Sequence, residues 1–336
     1  MSFVLTILRN TVCISLLLIA YCIQCYAGNR VLNNADIDQC YNYFDQNLMQ
    51  KARPFCEKAV TQGDRQAELY LAIMSFDDTA EFNWYLQELK NSANHFYMAS
   101  VAYMYEIGRG TRKDFKKAVH WYTQANEHKS KAAPLALGRI FLKGGFGIEA
   151  DVKKSAYWYQ KAAQQGDLIA FERLGRFYSK GLGVEKNIST AKKWYQRGVD
   201  EYDSQAMVML GLILESENNH KAAIELWQHA SKLHDAHAKF LLGRVYFNGE
   251  HMKKDYNRAI ELFKISSQCG NPNSDEIPEL HIHFCQQQAP FYLGQIYEHG
   301  KGVKIDTEQA QQWYRQAANQ GSDKALKALS GLMKKH

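Results

Sequence analysis

The stretch Ala170–Gly198, AFERLGRFYSKGLGVEKNISTAKKWYQRG, decides the fold of this 336-residue chain. Its Leu174 and Gly175 precede a Gly-Leu-Gly turn, and Trp194 and Tyr195 follow it. The leucine, the glycine and an aromatic residue three positions later share one face at helical spacing, which predicts a first helix. Glycines accept positive φ and end that helix abruptly. The stretch therefore predicts two antiparallel helices joined by a tight turn.

The same pattern recurs along the chain in two series that keep phase with each other. A Leu-Gly pair returns at intervals of 32 to 51 residues, as Leu137-Gly138, Leu174-Gly175, Leu210-Gly211, Leu242-Gly243 and Leu293-Gly294. An apolar pair follows each of them or precedes the first, as Trp121-Tyr122, Trp158-Tyr159, Trp194-Tyr195, Leu226-Trp227, Leu262-Phe263 and Trp313-Tyr314. A single pair could occur by chance, but two series of pairs with matching intervals could not. The chain is therefore predicted to be a repeat array. Such arrays grow in one dimension without a single central core.

The repeat closely resembles the Sel1-like repeat, a relative of the tetratricopeptide repeat. The signature of that family is nearly complete from Ala170 to Gly198, and it is also clear from Ala289 to Ala318. The resemblance covers about residues 97 to 323 and reaches weakly back to residue 36. It implies an all-α fold, a right-handed superhelical solenoid of antiparallel helix pairs. It is specific for the fold and uninformative about activity.

Four segments are expected from this pattern. They are a signal peptide at 1–27, degenerate repeats forming an amino-terminal cap at 28–96, Sel1-like repeats at 97–323, and a carboxy-terminal capping helix at 324–336. Two departures interrupt the array. The repeat from Ala206 to Asp235 lacks the Gly-x-Gly turn, so its loop is short, and an insertion lies at about residues 268–287.

The amino terminus is typical of an export signal. Arg9 gives a short basic start, residues 11–23 are almost purely apolar, and small residues precede Gly28 where a signal peptidase would cut. The apolar run is too short for a comfortable membrane span. We therefore expect a periplasmic or secreted protein without a membrane span after cleavage. An uncleaved anchor is the main alternative, and a lipoprotein signal at Cys22 is a weaker one.

Removal of residues 1–27 leaves four cysteines, Cys40, Cys56, Cys269 and Cys285. Cys40 and Cys56 are 16 residues apart, and so are Cys269 and Cys285. In an oxidising compartment this spacing favours two local disulfides, Cys40–Cys56 and Cys269–Cys285, the second closing the insertion at its base. Four buried free thiols are the alternative. A zinc site is disfavoured because no CxxC motif occurs.

By analogy with tetratricopeptide repeats, two positions of each first helix should face the inside of the superhelix: the residue after the glycine and the residue two before the leucine. The predicted groove residues are Tyr103, Leu135, Arg139, Glu172, Arg176, Val208, Phe240, Arg244, Phe291 and Gln295. Arginine and aromatic side chains dominate protein interfaces. The groove is therefore predicted to bind another protein. The alternative is that these arginines only cover apolar surface and pair with neighbouring carboxylates.

No catalytic motif is found: the chain has no P-loop, G-x-S-x-G elbow, H-E-x-x-H or dinucleotide fingerprint. We expect no enzyme activity, no cofactor and no metal. The net charge of +6 is spread without a basic stripe, which disfavours nucleic acid. The favoured function is a periplasmic adaptor that binds an envelope or secreted protein. The alternatives are a periplasmic immunity protein that neutralises a secretion-system effector such as a phospholipase, and a cell-wall or β-lactam hydrolase.

Overall fold

The computed structural model describes residues 35–268 and 282–333, and the chain divides into two compact units, Met1–Ala150 and Asp151–His336. Within the described ranges the structure consists of seventeen α-helices, one π-helical segment and a single isolated β-bridge between Gly145 and Ile148. The expected all-α class is confirmed. No helix in these ranges has the length and apolar character that crossing a membrane requires.

The described part of the first unit contains seven helices. They are α1 Ala35–Asp45, α2 Met49–Thr61, α3 Arg65–Met74, α4 Asp78–Glu88, α5 His95–Ile107, α6 Phe115–Glu127 and α7 Ala132–Lys143. Helices α1 and α2 pack together as a pair, and so do α5 and α6. Short turns join the members of each pair, so they run antiparallel.

The described part of the second unit contains ten α-helices and the π-helical segment. They are α8 Val152–Gln164, α9 Leu168–Lys180, α10 Ile188–Asp200, α11 Ser204–Ser216, α12 His220–Lys232, α13 Ala236–Asn248, α14 Tyr256–Ser267, the π-helical segment Ile282–Gln288, α15 Ala289–His299, α16 Thr307–Asn319 and α17 Asp323–Met333. The pairs are α9 with α10, α11 with α12, α13 with α14, and α15 with α16. We call α5, α7, α9, α11, α13 and α15 the first helices of the repeats.

Side-chain caps and glycines fix where these helices begin and end. Six second helices have an Asp or Asn side chain before their first residue, and five of those side chains accept a hydrogen bond from the backbone N–H three residues on: Asp114, Asp151, Asn187, Asp255 and Asp306. Each such cap contributes about 1 kcal/mol. Five first helices end at a glycine with positive φ, namely Gly108, Gly144, Gly181, Gly249 and Gly300. The Gly-Leu-Gly turn predicted after the first helix of the Ala170–Gly198 stretch is confirmed at Gly181.

The glycine of the Leu-Gly pair lies directly against an aromatic ring of the second helix. A Cβ atom built on Gly175 would lie 2.5 Å from the Tyr195 ring. The corresponding distance from Gly211 to Trp227 would be 2.3 Å. Gly243 against Phe263 and Gly294 against Tyr314 show the same close approach. The two sequence series keep phase because their members are in contact, and only glycine permits that contact.

A disulfide joins α1 to α2 through Cys40 and Cys56, as expected. Cys285 is buried in the π-helical segment, with its Sγ 3.8 Å from the Ser266 hydroxyl oxygen. Cys269 lies outside the described residues, so the Cys269–Cys285 pair stays a prediction. The expected signal peptide at 1–27 and most of the insertion also lie outside them.

The turn from a second helix to the next first helix requires a residue with positive φ. Gly63, Gly166 and Gly321 occupy this position with φ of 82° to 85°. Tyr202 occupies the equivalent position with φ of 62° and is 77% exposed. A left-handed conformation costs a residue with a Cβ atom about 1 to 2 kcal/mol, whereas glycine adopts it freely.

We expect Tyr202→Gly to raise the free energy of unfolding by about 0.5 to 1 kcal/mol, since relief of this strain exceeds the entropy that glycine gains in the unfolded chain. Urea titration followed by circular dichroism measures the change. Tyr202→Ala is the matched control, because it removes the ring but retains the strained backbone, and it should gain nothing. Equal stabilisation by both variants would contradict the strain argument.

Candidate functional site

The predicted groove residues all lie on first helices, at different depths. In the first unit, Tyr103 on α5 is 44% exposed, while Leu135 and Arg139 on α7 are half-buried. In the second unit, the half-buried members are Arg176 on α9, Arg244 on α13, and Phe291 and Gln295 on α15. The position directly after the glycine therefore reaches the surface in each of these helices.

Three predicted groove residues are instead buried. Glu172, Val208 and Phe240 are each 2% exposed, so they cannot form the open lining of a groove. Phe240 stacks on Phe284 with 5.1 Å between ring centroids, and it also approaches the Tyr292 ring at 6.0 Å. The prediction is wrong at these three positions. At Phe240, the residue two before the leucine packs against the elements that follow it instead of facing solvent.

The arginine that follows the glycine pairs with a carboxylate of the chain itself in two repeats. In the first unit, Arg139 donates from Nε and Nη2 to Oε1 of Glu106, at 3.1 Å and 2.7 Å. In the second unit, Nη2 of Arg244 donates to Oε1 of Glu215. The alternative interpretation, in which these arginines pair with neighbouring carboxylates, thus holds for Arg139 and Arg244.

Glu106 is the centre of a buried polar cluster. Besides accepting from Arg139, its Oε2 accepts a hydrogen bond of 2.9 Å from the Tyr122 hydroxyl. Burial raises the pKa of Tyr122 well above its ordinary value, and the charge of Glu106 raises it further. Tyr122 therefore stays protonated and donates to the carboxylate.

The glutamates that accept these hydrogen bonds share one position in the repeat, four residues after the glycine, which the sequence analysis missed. Glu215 lies four residues after Gly211, and Glu298 lies four residues after Gly294. Glu106 holds the same place in α5, where Ala102 stands instead of glycine. Glu298 accepts a 2.8 Å hydrogen bond from the Tyr314 hydroxyl. The recurrence of Glu at this position is a signal present in the sequence.

We expect Glu106→Gln to lower the free energy of unfolding by about 1.5 kcal/mol, because it removes a charge-assisted hydrogen bond and leaves Arg139 without its carboxylate. The value is moderate because the Arg139 side chain is 28% exposed and water compensates part of the loss. Urea titration measures it. Glu127→Gln, on the exposed end of α6, is the control and should change stability by less than about 0.5 kcal/mol. Equal losses in both variants would show that the cluster contributes nothing specific.

The second unit also contains a small pocket beside the Arg244–Glu215 pair. Trp227 and Arg244 line it together with His220 and His251, whose imidazole rings stack with 3.8 Å between centroids. His251 has φ of 62° and stands where other repeats carry the second glycine of Gly-x-Gly. The sequence reasoning missed this pair because the two histidines are far apart along the chain. Within the described ranges, no group of three or more His, Cys, Asp or Glu side chains is arranged to hold a metal ion.

Comparison with protein families identifies the repeat. The Sel1 repeat model matches residues 95–130, 133–167, 172–203, 236–271 and 288–322, which together make up just over half of the chain. The segment between the third and fourth matches contains α11 and α12, the repeat that lacks the Gly-x-Gly turn.

Three similar proteins illustrate the range of the pattern. The ERAD-associated E3 ubiquitin-protein ligase component HRD3B of Arabidopsis thaliana is 32% identical over 124 residues, which cover 37% of this chain and 18% of that protein. The chain thus spans less than a fifth of this relative. A crystal structure of a Sel1 repeat protein from Oxalobacter formigenes is 28% identical, covers 76% of this chain and 99% of its own, and superposes with a TM-score of 0.62. A protective antigen of uropathogenic Escherichia coli that displays an SLR fold is 24% identical, with coverages of 84% and 67% and a TM-score of 0.58, and shows the fold alone.

Proposed function

The chain belongs to the Sel1 repeat family, and we propose that it is a non-enzymatic scaffold that binds another protein through the exposed face of its first helices. The observation that carries the proposal is the character of that face. Tyr103 is 44% exposed on α5, and Arg176, Phe291 and Gln295 are half-buried at the surface of α9 and α15. Arginine and aromatic side chains combine a large contact area with directional hydrogen bonds. Stacked repeats present such side chains over an extended surface.

We propose further that the protein works outside the cytosol, in the periplasm of the bacterial envelope. The Cys40–Cys56 disulfide supports this, because such bonds persist mainly in oxidising compartments. The export signal expected at 1–27 supports it as well. Sequencing the amino terminus of protein recovered from the periplasmic fraction tests the proposal. A start at Gly28 is the expected result, and intact protein confined to the cytosolic fraction would contradict it.

Affinity capture tests the binding role. The oxidised chain is immobilised and exposed to an envelope extract of its own cell, and bound proteins are identified by mass spectrometry. One stoichiometric protein partner is expected. An envelope component would establish an adaptor, whereas a secretion-system effector would establish the immunity alternative.

A matched pair of charge reversals assigns the captured partner to a face. Arg176→Glu, on a first helix, should abolish capture. Lys154→Glu, on the solvent-exposed side of α8, should leave it unchanged. Equal capture by both variants would contradict binding through the first helices. Turnover of a cell-wall or β-lactam substrate by the pure protein would contradict the non-enzymatic proposal.

A further inference from the structure

The segment that follows α7 forms a narrow β-hairpin within the first unit. The backbone N–H of Gly145 donates to the carbonyl oxygen of Ile148 at 2.7 Å, and the N–H of Ile148 donates back at 3.0 Å. Phe146 and Gly147 are the two central residues, with φ of 48° and 91°. Positive φ at both positions is typical of a type I′ turn, in which Asn, Asp or Gly is favoured. Phenylalanine is therefore unusual here, because its Cβ atom opposes a left-handed backbone.

The hairpin holds the Phe146 side chain in a fixed position at the surface. The Phe146 carbonyl oxygen accepts a 3.2 Å hydrogen bond from the backbone N–H of Phe115, at the start of α6. The two rings approach with 5.1 Å between centroids. Phe115 is 7% exposed, whereas Phe146 is 57% exposed, so packing uses only part of the Phe146 ring. A strained backbone that presents an apolar ring to solvent is a feature found mainly at functional sites.

Exposed cations surround this ring. Nζ of Lys113 lies 4.4 Å from the centroid of the Phe146 ring. The stem of Lys116 lies against Gly147, since a Cβ atom built there would come within 3.1 Å of Cε of Lys116. Arg112 is exposed next to Lys113 along the chain. None of these three cations forms an ion pair with a carboxylate among the residues that the structure describes.

The carboxylates that adjoin this group do not neutralise it. Asp114 and Glu149 are the two acidic residues beside it in the sequence. Asp114 caps α6, because its Oδ1 accepts from the backbone N–H of Lys117. The Lys117 side chain adds a further cation, with its Nζ 5.1 Å from the centroid of the Tyr105 ring. The surface around the hairpin therefore has an excess of positive charge.

We propose that Arg112, Lys113, Lys116 and Phe146, which we call the hairpin patch, dock the protein onto the surface of an anionic lipid bilayer. The cations bind lipid phosphate groups, and the Phe146 ring enters the boundary between headgroups and acyl chains. This surface is separate from the first-helix face that we propose to bind a protein.

The environment of the ring favours a lipid surface over a nucleic acid. A nucleic-acid base would stack on the face of an aromatic side chain. Lys113 lies over the Phe146 ring, and the Phe115 ring packs beside it. The exposed part of the ring has no hydrogen-bonding group, so transfer from water to an apolar medium is favourable.

Co-sedimentation of the oxidised full chain with lipid vesicles tests the proposal. The chain should bind vesicles of phosphatidylglycerol and phosphatidylcholine in equal parts, and it should not bind vesicles of phosphatidylcholine alone. Lys113→Gln/Lys116→Gln should weaken binding by about tenfold or more. The matched control is Lys129→Gln/Lys131→Gln, which removes the same charge from exposed lysines at the other end of α7. It should change binding by less than about threefold.

Two substitutions of Phe146 separate insertion of the ring from attraction between charges. Phe146→Asn removes the ring and suits the left-handed backbone, so the variant should fold with an unchanged circular dichroism spectrum. Its affinity for the anionic vesicles should fall by about fivefold or more. Phe146→Trp should keep the affinity, and anionic vesicles with brominated acyl chains should quench its added fluorescence.

Four outcomes would overturn the proposal. They are equal binding to both kinds of vesicle, equal losses in the two lysine variants, a folded Phe146→Asn that binds as tightly as the unchanged chain, and Phe146→Trp fluorescence that brominated lipid does not quench. Binding to a single-stranded oligonucleotide in preference to the anionic vesicles would also overturn it and would identify nucleic acid as the ligand. Capture of a protein partner by the first helices is a separate measurement, which none of these outcomes decides.

Discussion

Replacing Gly211 by alanine should lower the free energy of unfolding by about 2 to 3 kcal/mol. The added Cβ would lie 2.3 Å from Nε1 of Trp227, a ring that is 1% exposed, so the indole would have to shift within the core. That same nitrogen donates a hydrogen bond to the backbone oxygen of Val208, which a displaced indole would lose. The gain in helix propensity from Gly to Ala, about 1 kcal/mol, offsets only part of the cost.

The matched control is Gly331→Ala in α17. A Cβ at Gly331 would have no atom within 4 Å, so only the helix propensity changes and the variant should be neutral or more stable by up to about 1 kcal/mol. Urea titration of both variants beside the unchanged chain decides the matter. If Gly211→Ala were as stable as Gly331→Ala, contact between the two sequence series would not be what fixes the repeat.

The second large effect is expected from the disulfide of the first unit. Cys40→Ala/Cys56→Ala should lower the free energy of unfolding by about 3 kcal/mol, because the bond closes a loop of 16 residues and restricts the unfolded chain. The comparison is made by urea titration of the oxidised chain and the double variant, without reductant. Equal midpoints would contradict a stabilising role for this bond.

The same variant provides the test of the predicted Cys269–Cys285 pair. With Cys40 and Cys56 removed, dithiothreitol should still lower the urea midpoint if the second bond exists. The effect should vanish when Cys269 and Cys285 are also replaced by alanine. A double variant that is insensitive to reductant would contradict the second disulfide.

Local chemistry explains why most of the fold follows from the sequence. The Asp that precedes a second helix caps it in different repeats, as Asp114 and Asp306 show. The cap depends only on local sequence, because the side-chain oxygen and the backbone N–H that it accepts from are three residues apart. The Leu-Gly pair and the aromatic pair share one helix hairpin, so their phase in the sequence reports a direct contact, as between Gly175 and Tyr195.

The binding face follows from the sequence only in part, because burial depends on how successive repeats pack. The position after the glycine reaches the surface, as the half-buried Arg176 and Arg244 show. The position two before the leucine varies: Leu135 and Phe291 are half-buried, whereas Phe240 is covered by Phe284 and Tyr292. The orientation of this residue was inferred by analogy with another repeat family. In this chain Phe240 packs among large aromatic side chains and does not face solvent.

The pairing of the arginines requires the structure. From the sequence, Arg139, Arg176 and Arg244 are equivalent. The partners of Arg139 and Arg244 appear only when each guanidinium is followed through the structure, and each partner lies in the preceding repeat about thirty residues away. Once seen, the pattern can be traced back to the presence of Glu106 and Glu215 in the sequence.

Site-specific photo-crosslinking tests the central claim, that the first-helix face binds a protein partner, most directly. A photoreactive phenylalanine analogue is placed at Tyr103, which is 44% exposed on first helix α5, or at Tyr157, which is 53% exposed on second helix α8. Each variant is irradiated in the envelope extract of its own cell. We predict that Tyr103 forms a covalent adduct with one protein partner and that Tyr157 does not. An adduct through Tyr157 and none through Tyr103 would contradict the claim.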